Sequence, residues 1–518
     1  MPDPERDEPE MDVYSGVRWS ALSKYGAQGM QVVVSLVLAR LLAPEYFGLL
    51  AMATVVTGFV NVFKNLGFAS AIIQRKTIDA RLLSTLFWVN LGMCLLVTGV
   101  LVGISPAAAW VYDDPRVAPI VAVLSINFLL AGFTMIPTAV LTRRMAFNKL
   151  AVREIAAVIV GGTTSITLAA FGWGVWALVA GSLADSAAQM VLINLLSPFR
   201  PRLVFDGQGL RECLGFGLNL TGFNIFNYFA RNADNFIIGI FLGPVALGYY
   251  ALAYKLMLLP RDAVTNVVTR VLFPAFSRMQ GDDERLANAY LRTCGAIAFV
   301  TFPMMAGLAV IARPFVEVVL GDKWLPAVPL IWILAPVGML QSVWSTAGQI
   351  FLAKGRADWQ FRWGVLAGLI IVGSFVLGLP WGVVGVASAY ALACFALAIP
   401  GFYLPFSLVG GLRIRHLVRT LLPYGFSASA MALLVGTSQY VLERLGLAPT
   451  AFLALSVALG MFTYFFLTLW IRPPAVADLS KLLPANWSAI GGRTASRQAR
   501  SIDISAQRAG TSSAQPRT

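Results

Sequence analysis

The chain has 518 residues, of which 58% are hydrophobic and only 12% charged, with a mean hydropathy of +0.74. Soluble domains run near a quarter charged, so a water-soluble enzyme is excluded and most of the chain belongs in a bilayer. Lys and Arg exceed Asp and Glu by 39 to 25, a net +14, which the cytoplasmic loops of a membrane protein explain without a nucleic-acid partner.

The chemistry available to such a chain is limited. It has one histidine, His416, and its four cysteines, Cys94, Cys213, Cys294 and Cys394, form no Cys-x-x-Cys pair. These are too few ligands for a zinc or His-based catalytic centre, so the cysteines read as packing residues. No catalytic residue, metal or cofactor is expected.

In chain order, residues 1–16 form an acidic cytoplasmic tail that lacks the basic start and short apolar core of a cleavable leader. Apolar length predicts spans near 17–41, 47–72, 84–108, 117–139, 151–171 and 174–196, which make a first lobe at 17–196. A basic amphipathic linker, 197–213, precedes spans near 214–241, 247–274, 291–313, 325–352, 361–379 and 382–406, a second lobe at 214–406. Two more, 419–441 and 450–471, occupy the segment 407–472, and the Ser-, Ala-, Gly- and Arg-rich tail 473–518 reads as disordered and cytoplasmic. The expected fold is thus an all-α polytopic membrane protein of about fourteen transmembrane helices.

Basic residues concentrate in alternate loops: Arg75, Lys76 and Arg81; Arg143, Arg144, Lys149 and Arg153; Arg200, Arg202 and Arg211; Arg278 and Arg285; Lys354, Arg356 and Arg362; Arg413 and Arg415. The intervening loops hold Arg116, Lys323 and Arg444, with Arg40 and Arg313 at span edges. The positive-inside rule therefore puts both termini in the cytoplasm. The loops expected outside are too short for a catalytic or receptor domain.

An internal repeat is visible. Leu42, Pro44, Gly48, Ala51 and Ala53 recur at constant displacement as Leu242, Pro244, Gly248, Ala251 and Ala253, and Trp173-Gly174-Val175 recurs as Trp381-Gly382-Val383. Each match falls at an equivalent turn, which supports a duplication. Six spans separate the copies, so the two six-helix lobes are parallel repeats about an axis along the membrane normal.

A charge at mid-bilayer costs about 2.5–3.5 kcal/mol on insertion scales, so its location is informative. Clear of span edges, the cations are Lys24, Lys64, Arg231, Lys255, Arg261 and Arg270, confined to the first two spans of each repeat. Each of these four spans carries a polar stripe at helical spacing: Lys24, Gln28, Gln31 and Ser35; Thr54, Thr57, Asn61 and Lys64; Asn224, Asn227, Arg231 and Asp234; Lys255, Asp262, Asn266 and Thr269. Four stripes facing one another would enclose a wet, net-positive cavity suited to an anion. The competing readings are snorkelling of Lys24, Lys64 and Arg270 to headgroups and structural ion pairs of Arg231, Lys255 and Arg261 with Asp234 or Asp262. Asp185, the one charge expected well inside the remaining spans, reads as a protonated packing residue or as part of ion coupling. Pro260 reads as a kink beside Arg261 and Asp262.

The segments VRWSALSKYGAQGMQ, LARLLAPEYFGLLAM, GFASAIIQRKTID with LSTLFWVNL, FGWGVWALV, and LGYYALAYKLMLLPRDAV with RVLFPAFSRM resemble the polysaccharide-exporter branch of the multidrug/oligosaccharidyl-lipid/polysaccharide flippase superfamily. The likeness is to its Wzx-type, colanic-acid-exporter-like members. The resemblance implies a bacterial inner-membrane carrier that turns undecaprenyl-pyrophosphate-linked oligosaccharides outward for surface polysaccharide assembly. It also implies two lobes that rock about a central cavity, with membrane lipids and the polysaccharide polymerase or export machinery as partners. Coupling to a proton or sodium gradient would fit. A multidrug antiporter of the same superfamily is the nearest rival and calls for an acidic cavity. A polymerase or ligase on the same lipid-linked sugars calls for a large outer loop.

Overall fold

The computed structural model describes the main chain of residues 13–64, 72, 79–444 and 448–471; within these, side chains are described except at 13–23, 59–64, 208–227, 229–230, 265–271, 273–274 and 441–443. Among the described residues there are helices and no strands, as a bilayer requires of a chain whose backbone groups must pair internally. Ten helical segments are long and apolar enough to cross a membrane, one of them, Ala357–Phe406, holding two helices.

The first set is α1 (Val13–Leu41), α2 (Pro44–Lys64), α3 (Ala80–Tyr112), α4 (Val117–Arg143), α5 (Phe147–Ala170) and α6 (Val175–Leu196). One helical run, Gly207–Arg278, then takes the place of two separate spans; its dihedrals leave the helix at Gly243 (φ 79°, ψ 179°), which divides it into α7 (207–242) and α8 (244–278). At Pro260, where a kink is expected, the helix is not broken: the run keeps helical dihedrals there. After it come α9 (Asp283–Val310), α10 (Val328–Ala353), α11 (Ala357–Gly378), α12 (Gly382–Phe406), α13 (Ile414–Arg444) and α14 (Pro449–Ile471).

Local chemistry sets the ends. Helix α9 starts earlier than apolar length suggests because the Asp282 carboxylate accepts a hydrogen bond from the Arg285 N–H at 2.9 Å, an N-cap. The repeated Trp-Gly pairs mark turns in which Gly174 and Gly382 take φ of 56° and 66°, a left-handed backbone that glycine adopts without strain.

The repeat around Pro44 and Pro244 proves to be a contact between its own two copies. A Cβ on Gly48 would lie 1.7 Å from the Pro244 carbonyl oxygen, and one on Gly248 would lie 2.0 Å from that of Pro44. Each proline carbonyl thus sits over the other copy's glycine, a reciprocal relation of the kind a two-fold axis produces. Small residues let helix backbones meet this closely, and Leu49, Met52, Ala53, Leu247, Tyr250 and Ala253 are buried around the contact.

The stretch between α9 and α10, which takes in the ends of the spans expected near 291–313 and 325–352, folds into a one-turn helix, a π turn and a 3-10 turn at Ala312–Phe315, Val316–Leu320 and Asp322–Ala327. It caps the same end of the bundle. Trp324 is wholly buried, donates its Nε1 hydrogen to the Ala39 carbonyl at 2.7 Å, and meets Phe47 and Tyr249 edge-on at centroid distances of 5.3 and 6.0 Å. Arg40 donates to the Glu317 carbonyl at 3.1 Å, and the Lys323 ammonium donates to the Arg40 carbonyl at 2.8 Å. Beside them Arg116 bridges Glu45 (2.6 Å) and Asp114 (2.8 Å); its guanidinium holds the Asp114 carboxyl below the usual carboxylate range. This end of the molecule is closed.

Candidate functional site

Helical spacing builds a pocket of about 400 Å³ among α7, α8, α10, α11 and α12. Arg231 and Asp234 reach it from one face of α7, and Tyr254 and Arg261 from one face of α8. Gln341, Trp344 and Ser345 come from α10, Gln360 and Trp363 from α11, and Tyr390 from α12.

The charges are unevenly matched. Asp234 is 3% exposed; its Oδ2 accepts from the Tyr250 hydroxyl at 3.0 Å and its Oδ1 from the Asn235 N–H at 2.8 Å. It has no ion-pair partner among the described residues, so the competing reading fails for Asp234, whereas Arg261 does form a long ion pair with Asp262 at 3.9 Å. Arg261 donates through Nη1 to the Gln341 Oε1 at 3.3 Å, and Gln341 in turn donates to the Tyr390 hydroxyl at 2.5 Å. The Arg261 Nε is buried without a hydrogen-bond acceptor among the described residues, since Asp262 stands 3.9 Å off. The lining therefore carries two guanidinium groups against one carboxylate whose oxygens are already engaged, which favours an anion with several acceptor oxygens.

A second polar pocket, about 360 Å³, lies among α2, α4 and α6. Thr54 and Thr57 of the second stripe line it, together with Asn127, Thr134, Ser182, Ser186 and Gln189. Asp185 stands at its margin, accepting from the Gln189 Nε2 at 2.8 Å. It is not isolated: α5 begins at Phe147, which puts Arg153, read as a loop residue, inside that helix. There it donates to the Thr138 hydroxyl at 2.9 Å and acts electrostatically on Asp185.

The remaining expected residues divide into two groups. Lys255 faces α1, donating to the Ser35 hydroxyl at 2.8 Å, and Tyr25 of α1 donates to the Ala263 carbonyl of α8 at 3.1 Å. Lys24 and Gln28 are half-buried on α1, with Gln31 exposed. Asn61, Lys64, Asn224, Asn227, Asn266 and Arg270 lie outside the described side chains. Sequence reasoning missed the polar residues of α4, α6 and α10 because it followed charge. Ser182, Ser186 and Gln189 keep i, i+4, i+7 spacing, and Gln341 and Ser345 keep i, i+4, so a search for uncharged polar stripes would have found them.

Fold and pockets together define a multi-pass membrane protein, helical and without strands among the described residues, with polar pockets inside its bundle. Residues 37–329 match the family described as polysaccharide biosynthesis protein, and the chain belongs to that family. It is 30% identical over 417 residues to the lipopolysaccharide biosynthesis protein WzxC of Escherichia coli (strain K12), covering 80% of this chain and 85% of that one. It is 29% identical to the teichuronic acid biosynthesis protein TuaB of Bacillus subtilis (strain 168), covering 90% and 97%. Among solved structures it is similar to the lipid II flippase MurJ in an inward closed conformation, with a TM-score of 0.67 at 12% identity over 88% of this chain and 98% of that one. The last likeness establishes a shared fold.

Proposed function

We propose that the protein carries an undecaprenyl-pyrophosphate-linked oligosaccharide from the cytoplasmic to the outer leaflet of a bacterial inner membrane, by alternating access, for surface polysaccharide assembly. The observation that carries this reading is the pairing of Arg231 and Arg261 in one pocket inside an apolar bundle, with the Arg261 Nε unsatisfied. Guanidinium groups match phosphate oxygens in pairs; Arg231 is exposed and free to turn to a ligand, and the buried Arg261 Nε, with only a long ion pair to Asp262, is costly to leave without a hydrogen bond. An organic-cation antiporter would want the opposite lining. Membership of a polysaccharide biosynthesis family supports a sugar-bearing substrate.

In this reading the helices form two six-helix lobes with α13 and α14 appended, and both termini are cytoplasmic. The closed end faces outward, where cations are few and Arg116 and Arg313 are neutralised by local carboxylates. Lys24, Gln28, Gln31 and Lys255 meet the head group first, and Arg231 and Arg261 hold its pyrophosphate. Asp234 and Asp185 are the carboxylates available for coupling to a proton or sodium gradient. The polyprenyl tail stays among membrane lipids, and the polymerase or export machinery receives the product.

Deleting the gene and locating the lipid-linked repeat units tests this directly. They should accumulate on the cytoplasmic side of the inner membrane; their normal appearance outside overturns the reading.

A further inference from the structure

The α2–α4–α6 pocket is uncharged, and it gathers hydroxyl and amide groups from three helices, more than the one interhelical hydrogen bond among its described lining residues, Asn127 to Ser182, uses for helix packing. The Thr54 and Thr134 hydroxyls donate to carbonyls of their own helices, at Leu50 (2.6 Å) and Ala131 (2.9 Å). The Asn127 Nδ2 donates to the Ser182 hydroxyl at 3.2 Å, and the Gln189 Nε2 donates to Asp185. Each of these groups has one donor engaged within the protein; the two amides each keep a second N–H, and the hydroxyl and amide oxygens keep acceptor capacity. The Asn127 Oδ1 is buried with no partner among the described residues, a vacancy that ordinarily costs free energy unless a ligand or water fills it.

Such a wall has no cation to match the charge of a pyrophosphate and offers the mixed neutral donors and acceptors that pair with hydroxyl groups, which both donate and accept. Phe128 and Leu124 supply an apolar surface beside the polar groups, suited to the C–H face of a sugar ring. A volume of about 360 Å³ is at the lower end of small-molecule sites, which run ~300–1,000 Å³, and is far too roomy for one bare cation.

Resting on the carrier reading above, we infer that the pocket of α2, α4 and α6 is a neutral-sugar subsite, with Asn127 accepting a glycan hydroxyl, while the arginine pocket holds the pyrophosphate. Recognition of one substrate is then divided by chemistry between neutral polar groups in the first half of the chain and cationic donors in the second.

The test compares two probes on protein in nanodiscs: undecaprenyl pyrophosphate without sugars, and the lipid-linked oligosaccharide extracted from the deletion strain. Asn127→Leu should weaken oligosaccharide binding about tenfold, the worth of one buried hydrogen bond, and leave undecaprenyl pyrophosphate binding unchanged. Should that variant fail to fold, the near-isosteric pair Thr54→Val and Thr134→Val should give the same split. Arg231→Gln should weaken both probes. Equal loss of both probes in the first-half variants, unchanged oligosaccharide affinity, or a loss reproduced by removing sodium from the wild-type assay overturns the subsite. Wild-type protein that binds neither probe overturns the carrier reading itself, and the subsite with it.

Discussion

The reciprocal contact of Gly48 with Pro244 and Gly248 with Pro44 makes a quantitative demand. An ordinary close carbon–oxygen approach is ~3.3 Å. A methyl group at position 48 would stand 1.7 Å from the Pro244 oxygen, so α2 and α8 must part by ~1.6 Å, the difference from that ordinary contact. The same change at 248, starting from 2.0 Å, requires ~1.3 Å. The obstacles are backbone atoms, so no side-chain rotation relieves them. Overpacking typically costs about 1–3 kcal/mol, and a backbone clash belongs at the top of that range. About 3 kcal/mol is roughly a hundredfold loss of the closed form. Because one separation relieves both clashes, Gly48→Ala and Gly248→Ala should have nearly equal effects, and the double variant should be little worse than either single one. The assay is labelling of Ala253→Cys, buried beside the contact at 1% exposure, in a cysteine-free background by a membrane-impermeant maleimide added outside. Labelling should rise sharply in each glycine variant. Unchanged labelling, or fully additive effects in the double variant, refutes the reciprocal contact.

Other outcomes follow from the same geometry. Replacing Arg231 and Arg261 together by Gln should abolish polymer export at normal protein level, each single change giving a partial loss; full export in the double variant removes the arginine pocket from the mechanism. Trp324→Ala empties a fully buried site at the closed end and should destabilise the protein by about 3–5 kcal/mol, whereas Trp324→Phe, losing chiefly the hydrogen bond to Ala39, should cost about 1 kcal/mol; thermal denaturation in detergent checks both. The Asp114 carboxyl titrates below its unfolded value because Arg116 pairs with it, so its contribution is complete above about pH 4 and is lost as pH falls through the lowered folded value. The difference in melting temperature between wild type and Asp114→Asn should therefore shrink on acidification; a constant difference from pH 6 to pH 2.5 contradicts the pairing.

Composition and apolar length were enough to establish a polytopic helical membrane protein and to place most helices, because the cost of exposing backbone in lipid leaves no other secondary structure. The repeat was also legible: Pro44 with Gly48, Pro244 with Gly248, and the paired Trp-Gly turns are local patterns with fixed spacing. What they were for was not. Only the assembled fold brought the two copies into contact with each other, and only it turned residues 312–327 into a buried cap, since a tryptophan's burial depends on partners such as Phe47 and Tyr249 far off in the chain. The same limit applies to the site. Charge at bilayer depth singled out Arg231, Asp234 and Arg261, since an ion in lipid is conspicuous by its cost, but the sequence could not say that α10, α11 and α12 would complete their pocket with Gln341, Trp363 and Tyr390. Nor could it show that the second stripe would face Asn127 and Ser182. A helix fixes which of its residues share a face; which face meets which is settled by packing among helices distant in sequence, and that packing decided where the polar pockets lie.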